Sequence, residues 1–460
     1  MGDYQMKVMK FGGSSLKNAG DFQRVSEIVK DEKDKKIVVL SAVNGVTSTI
    51  QKHLDSGKND EKEVKKLIHH LYGLHIRIVS EAINNQNNSR DVQIVIRKKL
   101  ERLERLLYGV AYTEELTDRT RDLILSYGER LSVLILEGTL NAMDVRAKAF
   151  EADSIGIITD EDFGNATAIL SKVTGNIQKA VLPLVQKNIV PIITGFFGCD
   201  SGGHVTTFGS NGSDYSASIA AHAVDASVVE IWKDVDGFMS ADPCIVNDVH
   251  LIDSLSYGEA AELAYFGAKI LHPRTAEPLL RKGIPIQIKN TYNPSGKGTE
   301  ISKKGYERKE VVKSVSYSKD IAVIKIHGSG VGKKPGVLSE IVSYISSQKI
   351  NIKSVVTSQT CINLLVDKKD LNRSYSLLAS EKIKTVERVE KIRDVALIGV
   401  VGEGILSRHG IAARVFSVVA DKGINVEMIS AGASEVAYYF LVKERFLNPT
   451  ITVIHEEFFG

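Results

Sequence analysis

Lys7-Val8-Met9-Lys10-Phe11-Gly12-Gly13-Ser14-Ser15 decides how the rest of the chain is read. A short strand, Lys7 to Phe11, carries a lysine near its end and runs into two glycines. Glycine lets a backbone approach an anion with no Cβ in the way. Amides leading into a helix add partial positive charge. The combination suits a polyphosphate. It is not a Walker A loop, which needs Gly-x4-Gly-Lys-Ser/Thr. Taken alone, a strand followed by Gly-Gly is equally an ordinary tight turn.

Working outward, a helix is expected from about Gly20 to Lys30, then a strand at Ile37-Val38-Val39-Leu40-Ser41-Ala42. A continuous apolar run of that kind suits a strand buried on both faces of a parallel sheet. Residues from about Asp60 to Leu107 are polar and helical in pattern, and Arg121 to Met143 reads as one more helix. Strand signals return at Ile189 to Ile193. They are followed by a glycine-rich stretch (Gly195 to Gly212), a helix from Ser213-Asp214 to about Val224, a strand from Val228 to Trp232 and a helix from Tyr257 to Phe266. The alternation predicts an α/β domain: a mainly parallel central sheet with helices on both faces.

Asn293-Pro294-Ser295-Gly296-Lys297-Gly298 and the charged run Lys303 to Lys309 mark a boundary at about 295–312. Beyond it one pattern occurs twice. Strand Ile321 to Ile326, a helix opening at Pro335-Gly336, and strands Asn351 to Val356 and Cys361 to Val366 form the first copy. Strand Val395 to Val401, a helix opening at Gly410, and strands Asn425 to Ser430 and Val436 to Val442 form the second. Gly336 and Gly410 are about 74 residues apart, too long for a solenoid repeat, so two small βαββ units are expected. A last helix is expected to begin at Asn448-Pro449, an N-cap and N1 pair.

The bulk numbers narrow the function. The 460 residues suggest about three domains. Hydrophobic residues at 43% and charged residues at 25% suit an ordinary globular protein. A net charge of +3 offers no strong field for nucleic acid or an anionic membrane. Cys199, Cys244 and Cys361 lie far apart without metal-ligand spacing, which fits a reducing cytosol and no metal site. No apolar run approaches the roughly 18 residues of a membrane span, and Met1 to Met6 has no signal core. A cytoplasmic protein acting on small molecules is expected.

Three further segments carry chemistry. In Gly209-Ser210-Asn211-Gly212-Ser213-Asp214 a glycine-rich loop enters a helix, and Asp214 is either a dipole partner or a functional carboxylate. Trp232-Lys233-Asp234-Val235-Asp236-Gly237, running on to Ala241-Asp242-Pro243, follows a strand, where open α/β sheets bind ligands. In Gly267-Ala268-Lys269-Ile270-Leu271-His272-Pro273 the lysine either snorkels or holds an anion. Gly328-Ser329-Gly330-Val331-Gly332-Lys333 and Gly402-Glu403-Gly404 look like phosphate loops but fit neither dinucleotide nor Walker spacing.

Together with Ser41 to Thr47 and Tyr127-Gly128-Glu129-Arg130, these motifs stand in the order found in the amino acid kinase family, and the chain resembles its aspartate kinases. The two C-terminal copies resemble ACT domains, with ferredoxin-like α+β folds. The resemblance implies a catalytic domain at 1–300, a first ACT domain at 313–390 and a second at 391–460, nested or interleaved with the first. It implies transfer of the γ-phosphate of ATP, with Mg2+, to the β-carboxylate of L-aspartate. The product would be 4-phospho-L-aspartate, on the way to lysine, threonine and methionine.

By the same resemblance Lys10 and the Phe11-Gly12-Gly13 turn would hold the transferring phosphate, and Asp214 would orient Lys10. Ser41, Thr47, Glu129 and Ser213 would bind aspartate, with Glu129 facing its ammonium. Lys233, Asp234, Met239 and Lys269 would lie at the nucleotide. An amino-acid effector, lysine before threonine, would bind at Val337, Leu338, Asn351, Ile352, Lys353 and Gln359. ACT pairing would give a homodimer or homotetramer. The chain departs from the pattern at Ser210, where many relatives carry an arginine that grips the α-carboxylate, and at Met239 and Cys244. Lysine-sensing relatives have acidic residues where this chain has Lys353 and Gln359. At 460 residues, no dinucleotide domain of a bifunctional fusion is expected after the repeats.

Aspartate's side chain, with a pKa of about 3.9, is already ionised at neutral pH. No general base is needed. The task is to bring a carboxylate to a polyanion, which calls for lysines and backbone amides.

Overall fold

The computed structural model describes residues 5–57, 60–267, 270–303, 311–329, 331, 333–380 and 386–460. They divide into two compact units.

The first unit comprises the described residues within Met1–Phe238, Asp253–Tyr257 and Ile270–Gly305. Strand β1 (Met6–Phe11) runs through a one-turn 3-10 helix (Gly13–Ser15) to helix α1 (Ala19–Asp31) and strand β2 (Lys35–Leu40). Then come α2 (Val46–Asp55), the long α3 (Glu61–Ala82) and α4 (Gln86–Thr113), α5 (Asp118–Leu125), α6 (Tyr127–Ala142) and β3 (Ala147–Phe150). Next are α7 (Leu170–Gln186), β4 (Val190–Thr194), the hairpin β5 (Phe197–Cys199) and β6 (Val205–Thr207), α8 (Gly212–Val224) and β7 (Val228–Lys233). Strand β8 (Ser254–Ser256), helix α9 (Tyr257–Tyr265), α10 (Glu277–Leu280), β9 (Ile286–Asn290) and β10 (Thr299–Ser302) follow. All of α9 but Tyr257 groups with the second unit.

Among the described residues eight strands form the main sheet, in the order β3-β4-β2-β1-β7-β9-β10-β8. Every neighbouring pair is parallel except β9 with β10. Ile37, Val38, Val39 and Leu40 are all fully buried, as a continuous apolar run inside a parallel sheet requires. The helix expected over Arg121 to Met143 is two helices, broken at Ser126. The Ser126 hydroxyl donates back to the Leu123 carbonyl (2.7 Å) and accepts from Arg130 Nε (2.9 Å). Such local bonding competes with the helical ladder.

The second unit comprises the described residues within Met239–Ile252, Gly258–Lys269 and Tyr306–Gly460. It contains β11 (Ser314–Ser318), β12 (Ile321–His327), α11 (Val337–Ser347), β13 (Ile352–Thr357), β14 (Cys361–Asp367), α12 (Leu371–Ser380) and β15 (Arg388–Ile392). The second copy contributes β16 (Val395–Val401), α13 (Ile411–Asp421), β17 (Met428–Ser430), β18 (Ala437–Lys443) and α14 (Leu447–Phe459). Two antiparallel four-stranded sheets result, β13-β14-β12-β15 and β11-β16-β18-β17. Strand β11 precedes the first copy yet completes the second sheet, and β15 completes the first. Gly336 and Gly410 cap α11 and α13 with φ of 89° and 85°, the left-handed region that favours glycine.

Strand β17 is shorter than the expected Asn425 to Ser430. Helix α14 starts at Leu447, so Asn448 is not its cap, and Pro449 sits in the first turn, where a missing N–H costs nothing. The β-branched Thr450, Ile451 and Val453 remain helical because their faces are buried.

Candidate active site

A cleft of about 390 Å3 opens in the first unit at the carboxyl ends of β1, β2 and β7. Its lining includes Lys10, Gly12, Gly13, Ser41, Thr47, Glu129, Ser213 and Lys233. The structure thus gathers in one place residues up to 223 positions apart in sequence (233 minus 10).

Lys10 ends up here because β1 is the centre of the sheet. Phe11, the next residue, is buried and stacks on Trp232 of β7 with ring centroids 5.7 Å apart. The Gly12 amide donates to the Trp232 carbonyl (3.2 Å). A Cβ on Gly12 would stand 3.3 Å from Lys10 Nζ, and one on Gly13 would stand 3.3 Å from the Ala42 carbonyl oxygen. Both glycines therefore leave room that a larger residue would take.

Helix α8 brings in Asp214, in its first turn and 1% exposed. Its carboxylate is shared: Lys10 Nζ lies 2.6 Å from Oδ1, and Lys233 Nζ lies 3.4 Å from Oδ2. Burial alone would raise the Asp214 pKa, but Lys10 and then Lys233 outweigh it and hold the carboxyl below its usual range. Burial pulls the Lys10 ammonium below its ordinary value, against the attraction of Asp214.

Glu129 stands in the first turn of α6, 3% exposed. Its Oε1 accepts from the Ala42 amide (3.1 Å), while Oε2 has no hydrogen-bond partner among the described residues. Burial pushes its carboxyl up to about 8, against the Ala42 amide and Lys10. A buried carboxylate oxygen left unpaired beside an open cleft is a place for a cationic ligand group. The wall behind it is tight. Ser132 Oγ bonds the Ser41 carbonyl (2.7 Å) and the Glu129 carbonyl (3.0 Å), and a Cβ on Gly128 would fall 2.7 Å from Ala42 Cβ. Arg130, next to Glu129, is committed elsewhere, to Glu151 and Asp153.

The other sequence-derived candidates are dispersed. Asp234 is exposed and 3.7 Å from Lys17. Met239 belongs to the second unit, where its carbonyl accepts from Ser314 Oγ (2.9 Å). Lys269 lies outside the described residues. In the first repeat Val337 opens α11, buried, and Leu338 beside it is exposed; Asn351 immediately precedes β13, Ile352 begins it, and Gln359 lies in the β13–β14 turn. Lys353 pairs with Asp367 (2.8 Å).

Sequence reasoning included Asn44 and Asn211 in its motifs without giving either a role and passed over Phe196; all three line the cleft. Phe196 and Asn211 have φ of 74° and 55°. For phenylalanine this costs about 1–3 kcal/mol and marks a constrained site. Nothing in the residue identities signals it.

A profile of the amino acid kinase family matches residues 5–290. The chain belongs to the amino acid kinase family. ACT-domain profiles match 316–380 and 398–458. The chain is 36% identical over 474 residues to Aspartokinase 1, chloroplastic, of Arabidopsis thaliana, covering 98% of this chain and 80% of that one. It superposes on E. coli aspartokinase III bound to aspartate and ADP (R-state) with a TM-score of 0.85, 27% identity and coverage of 99% and 100%. For the same enzyme bound to lysine and aspartate (T-state) the TM-score is 0.84, again at 27% identity with coverage of 99% and 100%. Within the family this kinase therefore groups with the aspartokinases. Among the described residues no helix is long and apolar enough to cross a membrane.

Proposed function

We propose that the cleft transfers the γ-phosphate of ATP to the β-carboxylate of L-aspartate, giving 4-phospho-L-aspartate, the first step towards lysine, threonine and methionine. The observation that carries this reading is Glu129 Oε2, buried and unpaired in the cleft that holds Lys10. An α-ammonium would complete it. Ser41, Thr47 and Ser213 would position the rest of the amino acid. Lys10 and the amides of the Gly12-Gly13 turn would meet the transferring phosphoryl group, with Asp214 holding Lys10 in place. Lys233, Asp234, Met239 and Lys269 would serve the nucleotide. An oxygen of the acceptor carboxylate attacks phosphorus, and the bond to the bridging oxygen breaks with its electron pair leaving on ADP. No proton moves, so placement and charge are what the protein supplies.

Among the described residues no cluster of three or more His, Cys, Asp or Glu side chains could cage a metal. Magnesium would arrive on the nucleotide and would neutralise phosphate charge there. The ACT repeats would bind an amino-acid effector, lysine first, at Val337, Leu338, Asn351, Ile352, Lys353 and Gln359, and would pair chains into a dimer or tetramer in the cytoplasm. A domain division at 1–300, 313–390 and 391–460 accompanies this reading.

Hydroxylamine trapping with MgATP and L-aspartate tests it. Aspartyl hydroxamate should form, and should fall when lysine is added. Hydroxamate cut by threonine and not by lysine would keep the kinase and replace the effector. No hydroxamate at high aspartate would reject the acceptor.

A further inference from the structure

Of the segment Tyr127-Gly128-Glu129-Arg130, only Glu129 lines the catalytic cleft. Tyr127 and Arg130 line a second cavity of the first unit, of about 670 Å3. Helix geometry makes this division. Tyr127 and Arg130 are three residues apart and share a face of α6, whereas Glu129 stands about 200° round the helix from Tyr127. The other walls come from α4, α5, the segment after β3 and the end of the β5–β6 hairpin.

These walls carry an excess of positive charge. Lys99, Arg102, Arg119 and Arg130 stand against two carboxylates, Glu151 and Asp153. Both carboxylates are already engaged: Glu151 pairs with Lys99 and Arg130, and Asp153 pairs with Arg130 at 2.7 Å. His204, also on the wall, is tied to Asp200 (2.8 Å). Arg102 and Arg119 are exposed and have no ion pair among the described residues. Burial, then Arg130 and Arg102, pull the Lys99 ammonium below its ordinary value. Cations crowded in this way favour an anion among them.

An independent observation points into the same space. Tyr127 is 2% exposed, and its hydroxyl has no hydrogen-bond partner among the described residues. A buried tyrosine hydroxyl ordinarily finds one. Leu106, Leu123 and Val205 add an apolar wall. A cavity of this size takes a small organic molecule, and two unpaired guanidiniums fit the oxygens of carboxylate or phosphate groups.

We propose that this cavity binds a small organic anion with at least two negative charges, a phosphate ester or a polycarboxylate, held by Arg102, Arg119 and the Tyr127 hydroxyl. Arg130 follows Glu129 in the first turn of α6, so the bound anion bears on the acceptor side of the catalytic cleft. This coupling rests on the kinase reading above; the binding does not.

The test titrates 3-phosphoglycerate, citrate and inorganic phosphate into wild type, Arg102→Gln/Arg119→Gln and Tyr127→Phe by calorimetry at constant ionic strength, with thermal melting as a check on folding. Hydroxamate kinetics at excess magnesium follow the KM for aspartate with and without each anion. Expected are binding of 3-phosphoglycerate or citrate to wild type, affinity at least tenfold weaker in the double variant and several-fold weaker in Tyr127→Phe. The KM for aspartate should shift at least twofold with the anion in wild type and stay put in the double variant. Whichever of the two binds more tightly tells phosphate ester from polycarboxylate. Equal affinity in wild type and the double variant would place the anion elsewhere, the catalytic cleft included, and overturn the site. So would the absence of binding by all three probes at millimolar concentration. Inorganic phosphate binding as tightly as the organic anions would overturn the organic ligand, and binding at an unchanged KM would overturn the coupling. Should wild type form no hydroxamate, the kinase reading fails, and calorimetry still decides the site.

Discussion

Both units bury charge, and they treat it oppositely. In the second unit Glu259 is 0% exposed and fully engaged: Oε2 meets Lys313 Nζ at 2.8 Å, and Oε1 accepts from the Glu403 amide at 2.7 Å. In the first unit Glu129 keeps one oxygen unpaired, and Asp214 is divided between two lysines. Compensated charge fixes how segments pack. Uncompensated charge waits for a ligand. Substitutions should therefore damage folding in the one place and turnover in the other.

The largest effect expected is on stability. Lys313→Met would remove the Lys313 ammonium from the buried Glu259 carboxylate, a loss of roughly 3–5 kcal/mol, read by denaturant unfolding. A variant as stable as wild type would erase the contrast. Next comes chemistry. Lys10→Ala should lower kcat a hundredfold or more, on the order of 3 kcal/mol, while hydroxamate assays are paired with melting curves close to wild type. Near-normal turnover would remove Lys10 from the reaction. The smallest effect sharpens the comparison at the cleft wall. Gly128→Ala puts a methyl group 2.7 Å from Ala42 Cβ and 3.0 Å from Thr47 Oγ1, a crowding cost of about 1–3 kcal/mol. The KM for aspartate should rise more than the KM for ATP, and an equal rise in both would argue against a wall specific to the acceptor.

Much of this was legible in the sequence. The buried run at Ile37 to Leu40, the Lys10-Phe11-Gly12-Gly13 turn and the paired repeats each carry a local pattern of sufficient length. What escaped was short or non-local. The three-residue strands β5 and β6 lie within a glycine-rich stretch that reads as loop. Strand β11 belongs to the sheet of the second repeat, and β15 returns to β12 at the start of the first, so their partners lie far along the chain. At the cleft, the identities of Glu129, Asp214 and Lys233 were visible. That Lys10 and Lys233 meet on one carboxylate depends on the register of β1 with β7, which no local pattern encodes.

Glu129 gives the account its sharpest pH signature. Its folded pKa, pushed up to about 8, stands above the ordinary 4.5. The native state then binds the proton more tightly than the unfolded chain, so this group's contribution to stability is whole below the ordinary value and is lost as pH rises towards 8. An ammonium ligand favours the ionised form and should reverse the shift. The most direct measurement is a carbon-13 NMR titration of the Glu129 carboxyl, assigned by its absence in Glu129→Gln, with and without L-aspartate. The account predicts titration near 8 in the free protein and a fall into the ordinary carboxylate range once aspartate is bound. A carboxyl that titrates in the same place with and without aspartate would contradict it.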